Sequence, residues 1–179
     1  VYEWGDGGTL ADQSLSTRDV LKALIHVAEG LRYLHELGLY HGDLKPGNVV
    51  VVGGVCKIGD LASLTSALSI STKLWAPQTP GFRAPEQVYF DLIKEAGSLG
   101  LLNRRDVYQL GNLALWLLGI KPVDGAQWSR QAVEKAAEEA EKRARGLGEV
   151  VREMLAARPQ ERPHIVEVLR RLVEIYQNI

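Results

Sequence analysis

The stretch His41-Gly42-Asp43-Leu44-Lys45-Pro46-Gly47-Asn48 decides how the rest of this 179-residue chain is interpreted. It places a carboxylate, an amine and a carboxamide close together, at Asp43, Lys45 and Asn48. The proline and glycine between them predict a loop. Taken alone, such a loop is equally typical of a solvated turn whose polar side chains form Asx-type hydrogen bonds. The sequence on either side of the loop therefore decides whether it is a solvated turn or a site at which these three side chains act together.

A predicted amphipathic helix over residues 17–37 leads into this loop. Ser16 is suited to cap its first turn, and Gly38 is suited to end it in the left-handed conformation. Apolar residues recur along it at spacings of three and four, which places them on one stripe facing a core. They are Val20, Leu24, Val27, Leu31 and Leu34.

Two β-rich runs, Asn48–Val52 and Val55–Asp60, follow the loop. The Gly53-Gly54 pair between them predicts a tight hairpin in which Val52 lies opposite Val55. The loop that carries Asp43, Lys45 and Asn48 would therefore lie between a helix and a hairpin.

The hairpin register predicts where a metal ion could bind. Counting back puts Asn48 opposite Gly59, so Asn48 and Asp60 would meet at the open end within about 8 Å. A regular ladder would point them to opposite faces, so the strand must end or twist at Gly59. Their few oxygen ligands suit Mg²⁺ that is shared with a substrate phosphate. Asp43 could then orient a hydroxyl nucleophile, and Lys45 could stabilise a transferred phosphoryl group.

The remainder of the chain is predicted to be a loop followed by helices. Residues 60–79 lose periodicity and accumulate Ser and Thr, which predicts a long exposed loop. Pro163 is suited to a first helical position. A few strands followed by many helices predict one α+β domain that is predominantly α-helical. The predicted helices are Asp106–Leu118, Ser129–Arg145, Leu147–Ala157 and Pro163–Tyr176.

Composition argues against two classes of partner. The 21 Lys and Arg residues balance 22 Asp and Glu residues, so the chain lacks the basic surface that nucleic acid requires. No polybasic stretch suits an anionic membrane, and no apolar run approaches the roughly 20 residues of a membrane-spanning helix. Cys56 is the only cysteine, which fits a reducing compartment. We therefore expect a cytoplasmic protein that binds neither nucleic acid nor membranes.

The loop resembles the catalytic loop of the protein kinase family, and further matches follow in that family's order along the whole chain. They include segments similar to the hinge, the metal-binding Asp-Phe-Gly, the end of the activation segment and the start of the central helix. The matching segments are Tyr2–Gly8, His41–Asn48, Lys57–Ala62, Thr79–Glu86, Asp106–Gly111, Arg158–Pro159 and Arg162–Pro163.

The resemblance implies that residues 1–179 form a kinase C-terminal lobe with a short β-hairpin beside the catalytic loop. The hinge would span residues 1–9, the catalytic loop 41–48 and the activation segment 60–86. Nothing in the chain resembles the Gly-rich phosphate loop or the strand lysine of the N-terminal lobe. We therefore expect that lobe to be missing from this chain, and the chain alone to be inactive.

The family's catalytic roles carry over to five residues. Asp43 is implied as the catalytic base, and Asn48 and Asp60 as the Mg²⁺ ligands. Lys45 and Thr79 resemble the pair that marks Ser/Thr rather than Tyr kinases. The implied reaction is phosphoryl transfer from ATP to Ser or Thr hydroxyls of a protein substrate.

The resemblance also implies the nucleotide contacts. Backbone groups of Glu3 and Gly5 in the hinge would meet the adenine of ATP, and Val50 would lie beneath it. Val50 is also an ordinary strand residue that would be expected in a core.

Other residues would have structural roles in the family. The carboxylate of Asp106 would brace the catalytic loop, and Glu86 would pair with Arg162. His41 and Leu61 would belong to an internal hydrophobic stack.

Two alternatives remain at this point. His41-Gly42-Asp43 followed by Pro46-Gly47-Asn48 also resembles the loop of kinase-like phosphotransferases that act on aminoglycosides and choline. Those enzymes usually lack the Ala-Pro-Glu and Asp-Val-Tyr segments that are present here. A pseudokinase-like binding scaffold would be expected to have lost the catalytic residues, and this chain retains them.

Gly42 replaces the arginine that, in the family, reads a phosphorylated activation loop. We predict that activity does not depend on phosphorylation of the hydroxyls in that segment. The test is a six-alanine variant assayed for phosphoryl transfer, with folding checked by circular dichroism. Loss of activity in a folded variant would contradict the prediction. The six positions are Ser63, Thr65, Ser66, Ser69, Ser71 and Thr72.

Overall fold

The computed structural model describes residues 7–66 and 79–179 of the chain. This part is mainly helical and carries two small antiparallel sheets, which agrees with the predicted predominance of helix. Its six α-helices, numbered in chain order, are α1 Thr17–Glu36, α2 Phe90–Ser98, α3 Arg104–Leu117, α4 Arg130–Arg143, α5 Leu147–Met154 and α6 Ile165–Gln177.

The predicted hairpin is confirmed with its register. Strands β2 (Val49–Val52) and β3 (Val55–Ile58) pair antiparallel, with Val52 opposite Val55. The Gly59 amide continues the ladder by donating to the carbonyl oxygen of Asn48 at 2.8 Å. The turn that ends the ladder was predicted at Gly59, but the residue with positive φ is Asp60, at φ 50° and ψ 52°.

The segment predicted as a long exposed loop over residues 60–79 is partly structured. It begins with a 3₁₀ turn at Leu61–Ser63 and continues into β4 (Thr65–Ser66). This strand pairs antiparallel with β1 (Leu39–Tyr40), which directly precedes the predicted catalytic loop at residues 41–48. Strands of two residues give no periodicity in the sequence, so this second sheet was not predicted. Residues 67–78 lie outside the described part.

Helix α3 forms the centre of the core, as its apolar sequence predicted. Every residue from Arg105 to Leu115 is buried. Helix α1 packs against α3, α6 and strand β3. Four residues of the stripe predicted on α1 lie in the core, whereas Leu34, near the end of the helix, is only half-buried and lies outside the core cluster. The core therefore fixes the position of the loop that connects α1 to the hairpin.

The helix boundaries differ from the predicted ones at the C-terminus of the chain. Pro163 is not a first helical position, because α6 begins at Ile165 and is capped by His164. Ser129, by contrast, caps α4 through a 3.1 Å hydrogen bond from the amide of Ala132 to its hydroxyl. In residues 7–66 and 79–179, no helix combines the length and the apolar character needed to cross a membrane.

A buried ion pair joins the segment before α2 to the segment before α6. Nη1 and Nη2 of Arg162 each donate to the Glu86 carboxylate at 2.7 Å, and both residues are buried, with Arg162 2% and Glu86 1% exposed. Three backbone carbonyl oxygens accept the remaining guanidinium N–H groups, so all five donors of Arg162 form hydrogen bonds. The carbonyls belong to Arg104, Ala156 and Ala157.

We predict that Glu86→Gln lowers the free energy of unfolding by about 3 kcal/mol, because it leaves the buried guanidinium of Arg162 without its counter-ion. Urea unfolding followed by circular dichroism measures this change. The matched control is Glu134→Gln, which removes an exposed partner of Arg152 at 2.8 Å and should change stability by less than about 1 kcal/mol. Equal effects of the two substitutions would contradict the prediction.

Candidate active site

The carboxylate of Asp106 holds the start of the catalytic loop from helix α3. Its Oδ2 accepts the backbone amide of His41 at 2.9 Å, and its Oδ1 accepts that of Gly42 at 2.8 Å. The Nε2 atom of His35 contacts the same carboxylate at 2.9 Å. Asp106 is fully buried, so these partners replace the water that its charge would otherwise require. The predicted brace is present, and His35 was not predicted as part of it.

The ring of His41 connects the catalytic loop to the residue before Asp60. Its Nε2 lies 2.9 Å from the carbonyl oxygen of Gly59, and its Nδ1 accepts the amide of Asp43 at 3.3 Å. Because Nδ1 accepts a hydrogen bond and Nε2 faces a carbonyl oxygen, we assign the ring proton to Nε2. His41 is buried, as an internal position requires, but Leu61 is 53% exposed and does not share that environment in this structure.

Three of the predicted site residues meet at one point. The ammonium group of Lys45 lies 3.2 Å from Oδ2 of Asp43 and donates to the hydroxyl of Thr79 at 2.7 Å. The backbone amide of Thr79 lies 3.3 Å from Oδ1 of Asp43. Thr79 is 36 residues from Asp43 in sequence, so the contact joins the catalytic loop to the end of the activation segment.

Asn48 and Asp60 flank the open end of the hairpin, where the sequence predicted a cation. The amide nitrogen of Asn48 donates to the carbonyl oxygen of Asp43 at 2.8 Å, which leaves the amide oxygen as the atom suited to a metal. Asp60 is exposed and has left-handed backbone dihedrals, a conformation uncommon outside glycine that clusters at functional sites. One carboxylate and one carboxamide fit Mg²⁺ that is shared with phosphates.

Two glutamines, which sequence reasoning missed, hold the middle of the catalytic loop. The side chains of Gln87 and Gln109 both donate to the carbonyl oxygen of Gly42 at 2.9 Å. Gln109 also accepts the amide of Leu44 at 2.8 Å, and Gln87 accepts the amide of Ala84 at 2.8 Å. A 3.1 Å hydrogen bond links the two glutamines. They join the catalytic loop, the activation segment and α3 into one network.

Asp124 fixes the end of the activation segment from the other side. Its carboxylate accepts from Nε and Nη2 of Arg83 at 3.1 and 3.0 Å, and from the backbone amides of Gly81 and Ala126. Partial burial alone would raise the pKa of this carboxyl, but these hydrogen bonds outweigh it and hold the pKa below its ordinary value. Asp124 therefore remains ionised at neutral pH.

The predicted nucleotide contacts are only partly within the described residues. Val50 is half-buried and forms an isolated antiparallel bridge with Thr9. The amide of Gly7 donates to the carbonyl oxygen of Val51 at 3.1 Å, so the chain runs beside β2 here. Glu3 and Gly5 lie outside the described part. The same holds for Ser69, Ser71 and Thr72.

Comparison with known proteins identifies the family. The protein kinase domain model matches residues 1–172. The chain is 29% identical over 189 residues to mouse serine/threonine-protein kinase 16, and 31% identical over 201 residues to the serine/threonine-protein kinase mos of Xenopus laevis. These alignments cover 94% and 96% of the chain. The chain belongs to the protein kinase family, which confirms the resemblance found in its sequence.

The chain spans only part of the length of these relatives. It covers 60% of the mouse kinase and 53% of the Xenopus one. It also aligns over 99% of its own length with the rat interferon-induced, double-stranded RNA-activated protein kinase, at 29% identity, and covers 35% of that protein.

We predict that Gln109→Leu lowers the free energy of unfolding by about 2 kcal/mol, because it leaves the buried amide of Leu44 without an acceptor. Hydrogen exchange should show this amide exchanging at least about tenfold faster, since a lost 1.4 kcal/mol is one decade. Gln127→Leu, at an exposed position, is the control. Unchanged protection of the Leu44 amide in the Gln109 variant would show that the network does not hold the loop.

Proposed function

We propose that this chain is the C-terminal lobe of a protein kinase that transfers a phosphoryl group from ATP to Ser or Thr hydroxyls of a protein substrate. The observation that carries the proposal is the contact between Asp43, Lys45 and Thr79, which couples the catalytic loop to the end of the activation segment. In the proposed lobe, the hinge spans residues 1–9, the catalytic loop 41–48 and the activation segment 60–86.

Asp43 is proposed to orient the substrate hydroxyl and to accept its proton. Its amide is held by His41 and its carbonyl by Asn48, so the carboxylate projects from a fixed backbone. Fixed geometry matters because phosphoryl transfer depends mainly on positioning and electrostatics. Lys45 beside it is proposed to stabilise the charge of the transferred group.

Asn48 and Asp60 are proposed to hold Mg²⁺ through the Asn48 amide oxygen and the Asp60 carboxylate. When bound, Mg²⁺ would neutralise the charge of the ATP phosphates. Adenine is proposed to lie against Val50 and to meet the backbone at Glu3 and Gly5. Residues 1–179 contain no segment resembling a Gly-rich phosphate loop, so we propose that transfer requires an N-terminal lobe as well.

The proposed preference for Ser and Thr substrates rests on Thr79. Its hydroxyl accepts from Lys45, which places a small polar side chain beside the catalytic carboxylate. The relatives are named as serine/threonine-protein kinases, and that naming supports the same preference.

The test is an assay of the full-length gene product for Mg²⁺-dependent transfer from radiolabelled ATP to a mixed protein substrate. We expect Asp43→Asn to reduce the rate about 10³-fold, because it removes the proton acceptor while preserving shape. Asp91→Asn, at an exposed carboxylate of α2, is the matched control and should leave the rate unchanged.

The other outcomes separate the alternatives. Label transferred to aminoglycosides or choline but not to protein would favour a small-molecule phosphotransferase. Nucleotide-independent binding of proteins with no transfer in any form would favour a scaffold. Full activity of residues 1–179 alone would contradict the proposed requirement for an N-terminal lobe.

A further inference from the structure

Two glutamines, Gln87 and Gln109, bind the peptide groups on both sides of Asp43. The carbonyl oxygen of the preceding residue, Gly42, accepts a hydrogen bond from Nε2 of each glutamine at 2.9 Å. The amide of the following residue, Leu44, donates to Oε1 of Gln109 at 2.8 Å. Because peptide groups are planar, the orientations of these two groups set the backbone dihedrals of Asp43. Gln109 binds both of them.

The two remaining polar groups of these peptides also have side-chain partners. The amide of Asp43 donates to Nδ1 of His41 at 3.3 Å, and its carbonyl oxygen accepts from the side chain of Asn48 at 2.8 Å. All four backbone polar groups around the Cα atom of Asp43 are therefore hydrogen-bonded to side chains. Of the four side chains that bind them, Gln109 is the one that contacts both peptide groups. Its removal would weaken the hold on both.

Gln109 occupies a core position of α3, where an amide is unfavourable unless it is hydrogen-bonded. It is 1% exposed, and Leu44, whose amide it binds, is fully buried. Its Nε2 donates to the Gly42 carbonyl oxygen and to Oε1 of Gln87, at 2.9 and 3.1 Å. The Leu44 amide can only donate and the Gly42 carbonyl can only accept, so one orientation of the Gln109 amide satisfies both partners.

Gln87 extends this network to the end of the proposed activation segment. Its Oε1 accepts the amide of Ala84 at 2.8 Å, while its Nε2 donates to Gly42. Ala84 is fully buried, so this contact lies at a packed part of the segment. A glutamine side chain neither titrates near neutral pH nor carries a charge, so the link requires no modification of the chain. This agrees with the independence from phosphorylation that Gly42 predicts.

We propose that Gln109 is a positioning residue for Asp43, and that Gln87 couples this positioning to the end of the activation segment. The inference rests on the proposed function, in which the Asp43 carboxylate accepts the proton of the substrate hydroxyl. That step requires the carboxylate to lie within hydrogen-bond reach of the hydroxyl. A displacement of about 1 Å can lower a rate about 10²-fold. The glutamines therefore act on the rate through the backbone of Asp43, without touching the substrate.

Steady-state kinetics of the full-length gene product test the positioning role. Gln109→Met keeps the approximate volume of the side chain and removes its hydrogen bonds. We expect kcat per folded molecule to fall about 10- to 100-fold, and KM for ATP to change less than about twofold, because the proposed adenine contacts lie elsewhere. The control for lost stability is Leu172→Ala, which truncates a buried side chain of α6. It should leave kcat per folded molecule unchanged.

Hydrogen exchange of the Leu44 amide in the same full-length protein tests the coupling without an assay of activity. The acceptor of this amide is Gln109, not Gln87. Gln87→Met should nevertheless make it exchange at least about threefold faster, because Gln109 loses its hydrogen bond to Gln87. Gln131→Met, at an exposed position of α4, is the matched control and should leave the exchange unchanged.

The outcomes separate this inference from the proposed function. Absence of transfer by the wild type would contradict the proposed function, while the exchange measurement would still decide whether the two glutamines are coupled. In an active enzyme, a kcat of Gln109→Met equal to that of Leu172→Ala, or a loss confined to KM, would overturn the positioning role. Unchanged exchange of the Leu44 amide in Gln87→Met would overturn the coupling. If Gln109→Met does not fold, the kcat of Gln87→Met decides, and a loss below about twofold overturns the inference.

Discussion

The buried carboxylate of Asp106 is the interaction on which the site depends. A charged group with no exposed surface is stable only if hydrogen bonds replace its water, and here the amides of His41 and Gly42 supply two of them. The requirement acts in both directions. The carboxylate fixes the start of the catalytic loop, and the loop makes it possible for α3 to carry a charge in the core.

Further hydrogen bonds connect the loop that Asp106 holds to the hairpin, to the activation segment and to α3. His41 reaches Gly59 at the end of the hairpin, and Asn48 holds the carbonyl of Asp43. Gln87 then connects the same loop to Ala84 of the activation segment, and Gln109 connects it to α3. Coupled hydrogen bonds of this kind define one geometry, because losing one member leaves another buried group unsatisfied. Residues 41–48, the predicted catalytic loop, are therefore held by hydrogen bonds to several elements although they contain little regular secondary structure.

The sequence predicted the parts of the site that local patterns encode. Gly53-Gly54 predicted the hairpin register, which the paired strands and the hydrogen bond between Gly59 and Asn48 confirm. The shared metal role of Asn48 and Asp60 stays a prediction. The long-range contacts had no comparable signal. Gln109 lies 67 residues from Gly42, and an isolated glutamine in an apolar helix does not indicate which backbone carbonyl it will contact. The β1–β4 pairing was missed because each strand has only two residues. The family resemblance supplied Asp106 and the Glu86–Arg162 pair, which no local pattern predicts.

The left-handed backbone of Asp60 limits which side chains position 60 can carry. Aspartate and asparagine tolerate left-handed dihedrals better than other side-chain-bearing residues, because their short polar side chains can hydrogen-bond locally. Alanine at position 60 would therefore disturb the main chain at the end of the hairpin as well as remove a carboxylate. Asparagine changes the charge while keeping the conformation accessible, so a comparison of the two substitutions separates ligand chemistry from backbone strain.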